Sequence, residues 1–125
     1  MAEPSTNESI LQSIKKKLGL SADCTDFDLD IIMDINSVLA VLTQIGIGPA
    51  SGYQIESAED TWSDYLDDYS KVAFVKTYIY AKVRLLFDPP TNGTTMDALK
   101  EVIREFECRL NYESDNVNKE ENQNG

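Results

Sequence analysis

The sequence contains no histidine and only two cysteines, and this scarcity excludes most of the common catalytic and metal-binding arrangements. Without histidine there is no histidine-dependent nucleophilic triad and no histidine metal site, and two cysteines alone cannot complete a zinc site. Cys24 and Cys108 lie far apart and form no Cys-x-x-Cys pair. Because no secretory apolar segment is visible near the N-terminus, we expect both to be free thiols in a reducing compartment.

Long apolar runs and phosphate-binding loops are also missing from the sequence. No apolar stretch approaches the roughly 20 residues that span a bilayer, so we expect no contact with a membrane. The glycine-rich segment GIGPASG, residues 46–52, has neither the lysine of a P-loop nor the spacing of a dinucleotide fingerprint. We therefore predict that the protein is not an enzyme and uses no cofactor or metal.

Cations are half as numerous as carboxylates, with 11 Lys and Arg against 22 Asp and Glu and a formal net charge of -11. A surface of this kind repels phosphate backbones, which argues against ordinary nucleic-acid binding. The local exception is Lys15, Lys16 and Lys17. We interpret these three lysines as a solvated helix face rather than as a nucleic-acid contact.

Three alternating aspartates, Asp26, Asp28 and Asp30, resemble the start of a calcium-binding loop. An EF-hand loop beginning at Asp26 needs glycine at its sixth position and glutamate at its twelfth, where this chain has Ile31 and Ser37. Carboxylates at the start of a helix are stabilised by the helix dipole. The sequence therefore favours a helix N-terminus over a calcium site.

What the sequence has in quantity is hydrophobic periodicity, and this predicts helices along most of the chain. We expect helices over residues 8–18, 26–45, 58–67, 70–87 and 96–111. The expected N-caps are Asn7 for the first helix, Thr25 for the second, and Thr94 or Thr95 for the last. Pro89 and Pro90 end the fourth helix because they cannot donate a backbone hydrogen bond.

These elements predict an all-α fold, a small bundle of four to five helices over residues 1–112. The alternation at Tyr53 and Ile55 predicts one short extended piece beside the helices. Residues 113–125 contain one apolar residue in thirteen. Such a segment cannot bury enough surface to order itself, so we expect a flexible acidic C-terminal tail.

The fourth predicted helix is more apolar than one small core requires, since its apolar positions cover roughly 200° of the helix surface. These positions are Val72, Phe74, Val75, Tyr78, Ile79, Ala81, Val83, Leu85 and Leu86. Such a helix is either central in its own bundle or packed between that bundle and another chain. Lys82 projects from the apolar arc and needs a carboxylate, either from this chain or from a neighbour. Lys76, Tyr80 and Arg84 face the other way.

Aromatic and cationic side chains are the candidates for contacts with a partner. Trp62 and Tyr65 are residue types that anchor interfaces, and the same types also fill cores. Glu105 and Arg109 have the spacing of an ion pair along a helix. The candidate interface residues are Trp62, Tyr65, Tyr78, Lys82, Arg84, Arg109 and Tyr112.

Four segments together resemble the head-tail connector proteins of tailed bacteriophages, also called adaptor or head-completion proteins. They are FDLDIIMDINSVLAVLTQIGIGP, TWSDYL, VKTYIYAKVRLLFDPP and CRLNYE, within residues 8–112. The resemblance lies in the order and spacing of the segments, since none of them carries catalytic chemistry. Two features depart from the family pattern: the acidic Asp34 on the second helix, and the long polar stretch after Tyr112.

The resemblance implies a helical protomer of a ring that sits below the portal protein and extends the DNA channel. It implies about twelve copies in the ring, a docking surface for the stopper or tail-completion protein, and passage of DNA without specific binding. The 46–57 loop and the region after Arg109 would then reach toward neighbours. The protein is expected at the head-tail interface of the virion, after synthesis in the bacterial host cytoplasm.

The negative charge supports two further interpretations. The first is a small acidic inhibitor that mimics DNA and blocks a DNA-binding protein, which requires dense carboxylate rows on an exposed face. The second is a helical regulator of unspecified target. For the connector, we expect the free chain to be mostly monomeric, because an acidic surface opposes self-association until a template concentrates it.

Overall fold

The computed structural model of the protein describes residues 8–66 and 69–124, with side chains over 8–66 and 70–110. Its helices are α1 (Ile10–Lys17), α2 (Asp28–Ile45), α3 (Trp62–Tyr65), α4 (Tyr69–Phe87) and α5 (Gly93–Asn124). These described ranges contain no strand, and none of their helices is both long enough and apolar enough to cross a membrane. The predicted all-α bundle is confirmed.

The first two helices begin at caps that the sequence did not predict. Ser9 is the N-cap of α1 and its side chain accepts from the N–H of Gln12, whereas the predicted cap Asn7 lies outside the described residues. Thr25 as the N-cap of α2 is wrong, because the helix begins three residues later at Asp28. The carbonyl of Thr25 instead closes a turn with the N–H of Asp28 at 3.2 Å.

The third predicted helix, over 58–67, is too long, because α3 is a single turn. Thr61 and Asp64 form a reciprocal capping box, which starts the helix at Trp62. The carboxylate of Asp60 accepts from the N–H groups of Glu56 and Ser57, so the preceding residues form a turn instead. These side chains compete successfully with the helix for backbone donors.

The predicted extended piece at Tyr53 and Ile55 forms no strand. The side-chain amide of Asn36 donates to the carbonyl of Ile55 at 3.0 Å and accepts from its N–H at 2.8 Å. One side chain of α2 thus satisfies both backbone groups that a neighbouring strand would satisfy. Ile55 is buried in the core.

The last helix differs most from its prediction. Asn92 caps α5 by accepting from the N–H of Thr95, so Thr94 and Thr95 are not the caps. The predicted end near residue 111 is wrong, since the helix continues to Asn124. No glycine or proline interrupts residues 112–124, so no strong helix breaker in this segment ends the helix earlier. Flexibility of this segment as a tail stays a prediction.

The core explains the wide apolar surface of α4, because this helix contacts α1, α2 and α5. Its buried members are Val72, Val75, Tyr78, Ile79, Ala81 and Val83. On its α5 side, the rings of Phe74 and Phe106 lie 4.4 Å apart between centroids. Of the two alternatives from the sequence, the central helix is therefore the one found. Leu86 is the exception, since 56% of its surface is exposed.

Candidate partner interface

Two aromatic residues predicted for a partner contact fill the core of this chain. Trp62 is fully buried, and its indole Nε1–H donates to the Oγ atom of Ser13 at 3.1 Å. Tyr65 is buried beside Gly48, with its ring 5.2 Å from that of Tyr53 between centroids. Their side chains have almost no exposed surface, and nothing in the described residues tests a contact between them and a partner.

Tyr78 and Lys82 share one carboxylate, that of Glu107 on α5. The Tyr78 hydroxyl donates to the Oε2 atom of Glu107 at 2.8 Å, and the Nζ atom of Lys82 lies 3.7 Å from the same oxygen. Burial raises the pKa of the Tyr78 phenol, and Glu107 raises it further by accepting its hydrogen bond. The counter-charge of Lys82 therefore comes from this chain, and it attaches α5 to α4.

Arg84 is half-buried, and with Lys17 it flanks the half-buried ring of Tyr80. Its guanidinium donates to the Tyr80 hydroxyl at 3.2 Å, and the ammonium of Lys17 lies 5.8 Å from the centre of that ring. Lys16 and Lys17 are exposed at the end of α1, and neither forms an ion pair with a carboxylate in the described part of the chain. We call Lys16, Lys17, Tyr80 and Arg84 the basic surface.

The third lysine of the run, Lys15, corrects the interpretation of all three as a solvated face. It is fully buried, with its Nζ atom 2.8 Å from the Oδ1 atom of Asp28 and 2.6 Å from the carbonyl oxygen of Cys24. Successive residues of a helix are rotated by about 100°, so three consecutive lysines cannot share one face. Lys15 points inward, whereas Lys16 and Lys17 point outward.

An open cleft between the start of α2 and the end of α4 is a surface that the sequence did not predict. Its volume is about 600 Å³. It is lined by Phe27, Asp30, Met33, Asp34, Leu86, Phe87 and Asp88, which we call the acidic cleft. Phe27 and Phe87 pack edge to face, with ring centroids 5.5 Å apart. Phe27, at the start of α2, and Leu86, near the end of α4, remain 43% and 56% exposed.

The three aspartates of the acidic cleft form no ion pair within the described ranges. The pKa of the Asp34 carboxyl is raised, first by partial burial and then by the negative charge of Asp30. Asp30 and Asp34 therefore repel each other beside an apolar floor, and this repulsion is relieved when a cationic side chain approaches. The sequence signal for this site was the acid at Asp34, noted as a departure from the family pattern.

The remaining candidates lie on α5. Arg109 and Glu105 form the predicted ion pair, with 3.0 Å between the guanidinium and the carboxylate. Both side chains are more than half exposed, so the pair contributes little to stability. The side chain of Tyr112 lies outside the described residues. Glu105 and Arg109 belong to neither the basic surface nor the acidic cleft.

The bundle and its two charged surfaces define a class of protein, a small helical protein whose exposed features suit contact with other macromolecules. A family model described as phage connector protein matches residues 10–117. The chain belongs to this family, which confirms the resemblance seen in the sequence and indicates a structural connector role in the virion. No curated protein and no solved structure matches the chain significantly.

Proposed function

We propose that the protein forms a ring below the portal, joins the head of a tailed phage to its tail and extends the DNA channel. The observation that carries this proposal is the connector-family match over residues 10–117, which includes α1 to α4 and most of α5. The partners are the portal protein on one side of the ring and the stopper or tail-completion protein on the other. The protein is made in the host cytoplasm and acts in the virion.

The charge of the chain supports passage of DNA through such a ring. A net charge of -11 repels phosphate, so DNA would slide along a wall of this composition instead of adhering to it. The 46–57 loop and the region after Arg109 are the segments that we propose to reach toward neighbours and the portal. No specific recognition of DNA is needed for this role.

Two surfaces on one protomer also favour a ring. In a closed ring each copy uses two different surfaces, one toward each neighbour. The acidic cleft and the basic surface differ in chemistry and have opposite charge, so they are electrostatically complementary. We propose about twelve copies, a number that follows from the family resemblance alone.

The decisive experiment is mass spectrometry of gradient-purified virions of the source phage, with labelled reference peptides for this chain and for the portal. We expect the two copy numbers to be nearly equal. A nonsense mutant should accumulate DNA-filled heads without tails, and expression of the protein from a plasmid should restore tailed particles. Absence of the chain from virions, together with abundance in infected cells, contradicts the proposal.

The same experiment tests the alternative of a DNA-mimicking inhibitor, which would be abundant in cells and absent from virions. A mimic needs rows of uncompensated carboxylates. On α5, however, Glu101 and Glu105 are paired with Arg104 and Arg109. These pairs interrupt any row of negative charge along that helix, so the connector is the better supported function.

A further inference from the structure

We propose that the acidic cleft of one protomer receives the basic surface of the next copy, so that neighbours in the ring meet head to tail. This inference rests on the proposed function, because it identifies the surfaces through which copies of the ring would touch. The partner that binds in the acidic cleft is then a second copy of this chain.

The floor of the acidic cleft is apolar surface that the protomer itself leaves uncovered. The exposed fractions are 43% for Phe27, 69% for Met33 and 56% for Leu86. Exposed apolar residues that cluster together mark contact sites more often than residues scattered singly. The rim aspartates Asp30 and Asp34, which form no ion pair within the described residues, then select the partner, which must bring cations beside an apolar or aromatic group.

The basic surface has this composition. Lys17 and Arg84 flank the aromatic ring of Tyr80, and Lys16, the residue before Lys17, is exposed at the end of α1. Most other described cations are already paired with carboxylates of the same chain. These paired cations are Lys15, Lys76, Lys82, Arg104 and Arg109. In so acidic a chain, the basic surface is thus the cluster of cations left available to a neighbour.

Apart from Asp88, whose N–H bonds to the carbonyl of Arg84 at the boundary between them, the two surfaces lie on different sides of the protomer. Arg84 and Leu86 are two residues apart on α4, which separates their directions by about 160° around the helix axis. On α2, Asp34 and Asp28 are six residues apart and so about 120° apart in direction. Asp28 faces α1 through its ion pair with Lys15. The cleft therefore opens on a flank of α2 away from α1, whose end carries the lysines of the basic surface.

Because the two contact surfaces differ, copies of the chain meet head to tail. When two copies join through one cleft and one basic surface, each copy keeps the other surface free for a third. Such a chain of copies can close into a ring. In free solution the contact is weak, because the whole protein is strongly acidic and like net charges repel. A template that concentrates the copies overcomes this repulsion.

A zero-length carbodiimide reagent tests the contact, because it joins a carboxylate to an amine only where the two already touch. An equal mixture of unlabelled and ¹⁵N-labelled full-length chain, at high protein concentration and low salt, separates links between copies from links within one. We expect mixed-isotope peptides that join Asp30, Asp34 or Asp88 to Lys16 or Lys17. Links between copies that instead involve mainly Lys71 or Lys100, or no links at all, overturn the proposal.

Charge reversal makes the test specific for this pairing. Asp34→Lys and Lys17→Glu should each reduce the mixed-isotope links between the two surfaces by about tenfold or more, since each change places like charges opposite one another. Mixing the two variants should restore coupling, including a link between positions 34 and 17 of different copies. The matched controls are Asp97→Lys and Lys100→Glu, exposed positions on α5 that should leave coupling within about twofold of the unaltered chain. Failure of the mixture to recover overturns the head-to-tail contact.

The virion experiment separates this inference from the proposed function. If the chain is present in virions at the portal's copy number but the charge-reversed pair does not recover, the connector role stands and the contact is wrong. If the pair recovers but the chain is absent from virions, the contact stands and the connector role is wrong.

Discussion

The ammonium of Lys15 lies 2.8 Å from the carboxylate of Asp28, and the lysine side chain is almost completely enclosed. The same ammonium donates to the carbonyl oxygens of Ala22 and Cys24, at 3.3 and 2.6 Å. The end of α1 is thereby attached to the start of α2. Because the basic surface continues from the end of α1 and the acidic cleft opens at the start of α2, this buried pair holds the two surfaces in one relative position.

Loss of the Asp28 carboxylate should be strongly destabilising. Asp28→Asn leaves the buried ammonium of Lys15 without its counter-charge, and we expect the free energy of unfolding to fall by on the order of 3 kcal/mol. Lys15→Met should cost less, because Asp28 is 23% exposed and can regain water. The double variant should be more stable than Asp28→Asn alone. Urea unfolding measures all three, with Lys16→Met as the exposed control, and an Asp28→Asn loss no greater than that control contradicts the prediction.

The buried indole of Trp62 depends on one hydroxyl group. Ser13 accepts the indole hydrogen bond and donates its own to the carbonyl oxygen of Ser9 at 2.7 Å. Ser13→Ala leaves the buried indole N–H of Trp62 without a hydrogen-bond acceptor. We therefore expect a loss of about 1–3 kcal/mol in the free energy of unfolding. Fluorescence of this single tryptophan reports the transition. Ser51→Ala, in an exposed loop, should change stability by less than about 0.5 kcal/mol.

Gly19 and Gly48 have the same backbone φ angle, so alanine variants at the two positions can distinguish backbone strain from a steric clash with a neighbouring side chain. Gly19 and Gly48 both have φ of +85°, but a Cβ at Gly19 meets no atom within 4 Å, whereas one at Gly48 would lie 2.6 Å from the Cε1 atom of Tyr65. Gly19→Ala should cost about 1–2 kcal/mol of backbone strain. Gly48→Ala should cost about 1–3 kcal/mol more, because the buried ring of Tyr65 must move. Equal losses in calorimetry would show that the ring yields freely.

Buried tyrosines predict a loss of stability in alkali. Burial raises the pKa of Tyr65, and burial with nearby carboxylates raises that of Tyr53 to about 12. These phenols ionise near pH 10 in the unfolded chain but later in the folded one. The folded state therefore holds more protons above pH 10, and the free energy of unfolding should fall as the pH rises. Below about pH 9 these groups should cause no change.

Two Tyr→Phe variants test this explanation of the alkaline loss, and at neutral pH they should change the free energy of unfolding in opposite directions. The Tyr65 hydroxyl is buried without a hydrogen-bond partner among the described atoms, so Tyr65→Phe should be neutral or stabilise by about 1 kcal/mol. Tyr78→Phe loses the bond to Glu107 and should destabilise by about 1–2 kcal/mol. Both variants should flatten the alkaline loss. Unchanged slopes above pH 10 in both would contradict the role of the phenols.

The helices were predictable because hydrophobic periodicity is a local property. The last position of α4, Phe87, matched its prediction, since the two following prolines act within their own turn. Helix starts were less predictable, because several are set by side chains that compete for backbone donors. Asp60 holds the turn before α3 in this way, and its carbonyl also accepts from the N–H of Ile10, fifty residues earlier in the chain.

Among the charged residues too, contacts within one helix could be predicted from the sequence, whereas contacts between helices could not. The pair of Glu105 and Arg109 could be predicted, because both members lie one helical turn apart. That Lys15 and not Lys16 is buried depends on where α2 places Asp28. The partner of Lys82 depends on which face of α5 reaches α4. Spacing within one helix cannot report such distances between helices.

The sequence by itself determined the all-α class, the positions of most helices and the negative charge, because each follows from local pattern or composition. The order and spacing of its segments also carried the resemblance to the connector family. Only the tertiary structure decided that α4 is central, that Trp62 and Tyr65 lie in the core, and that Phe27, Met33 and Leu86 stay uncovered. The physical reason is that burial is a relation between elements. An apolar side chain is core only when another helix covers it, and coverage depends on how the whole chain packs.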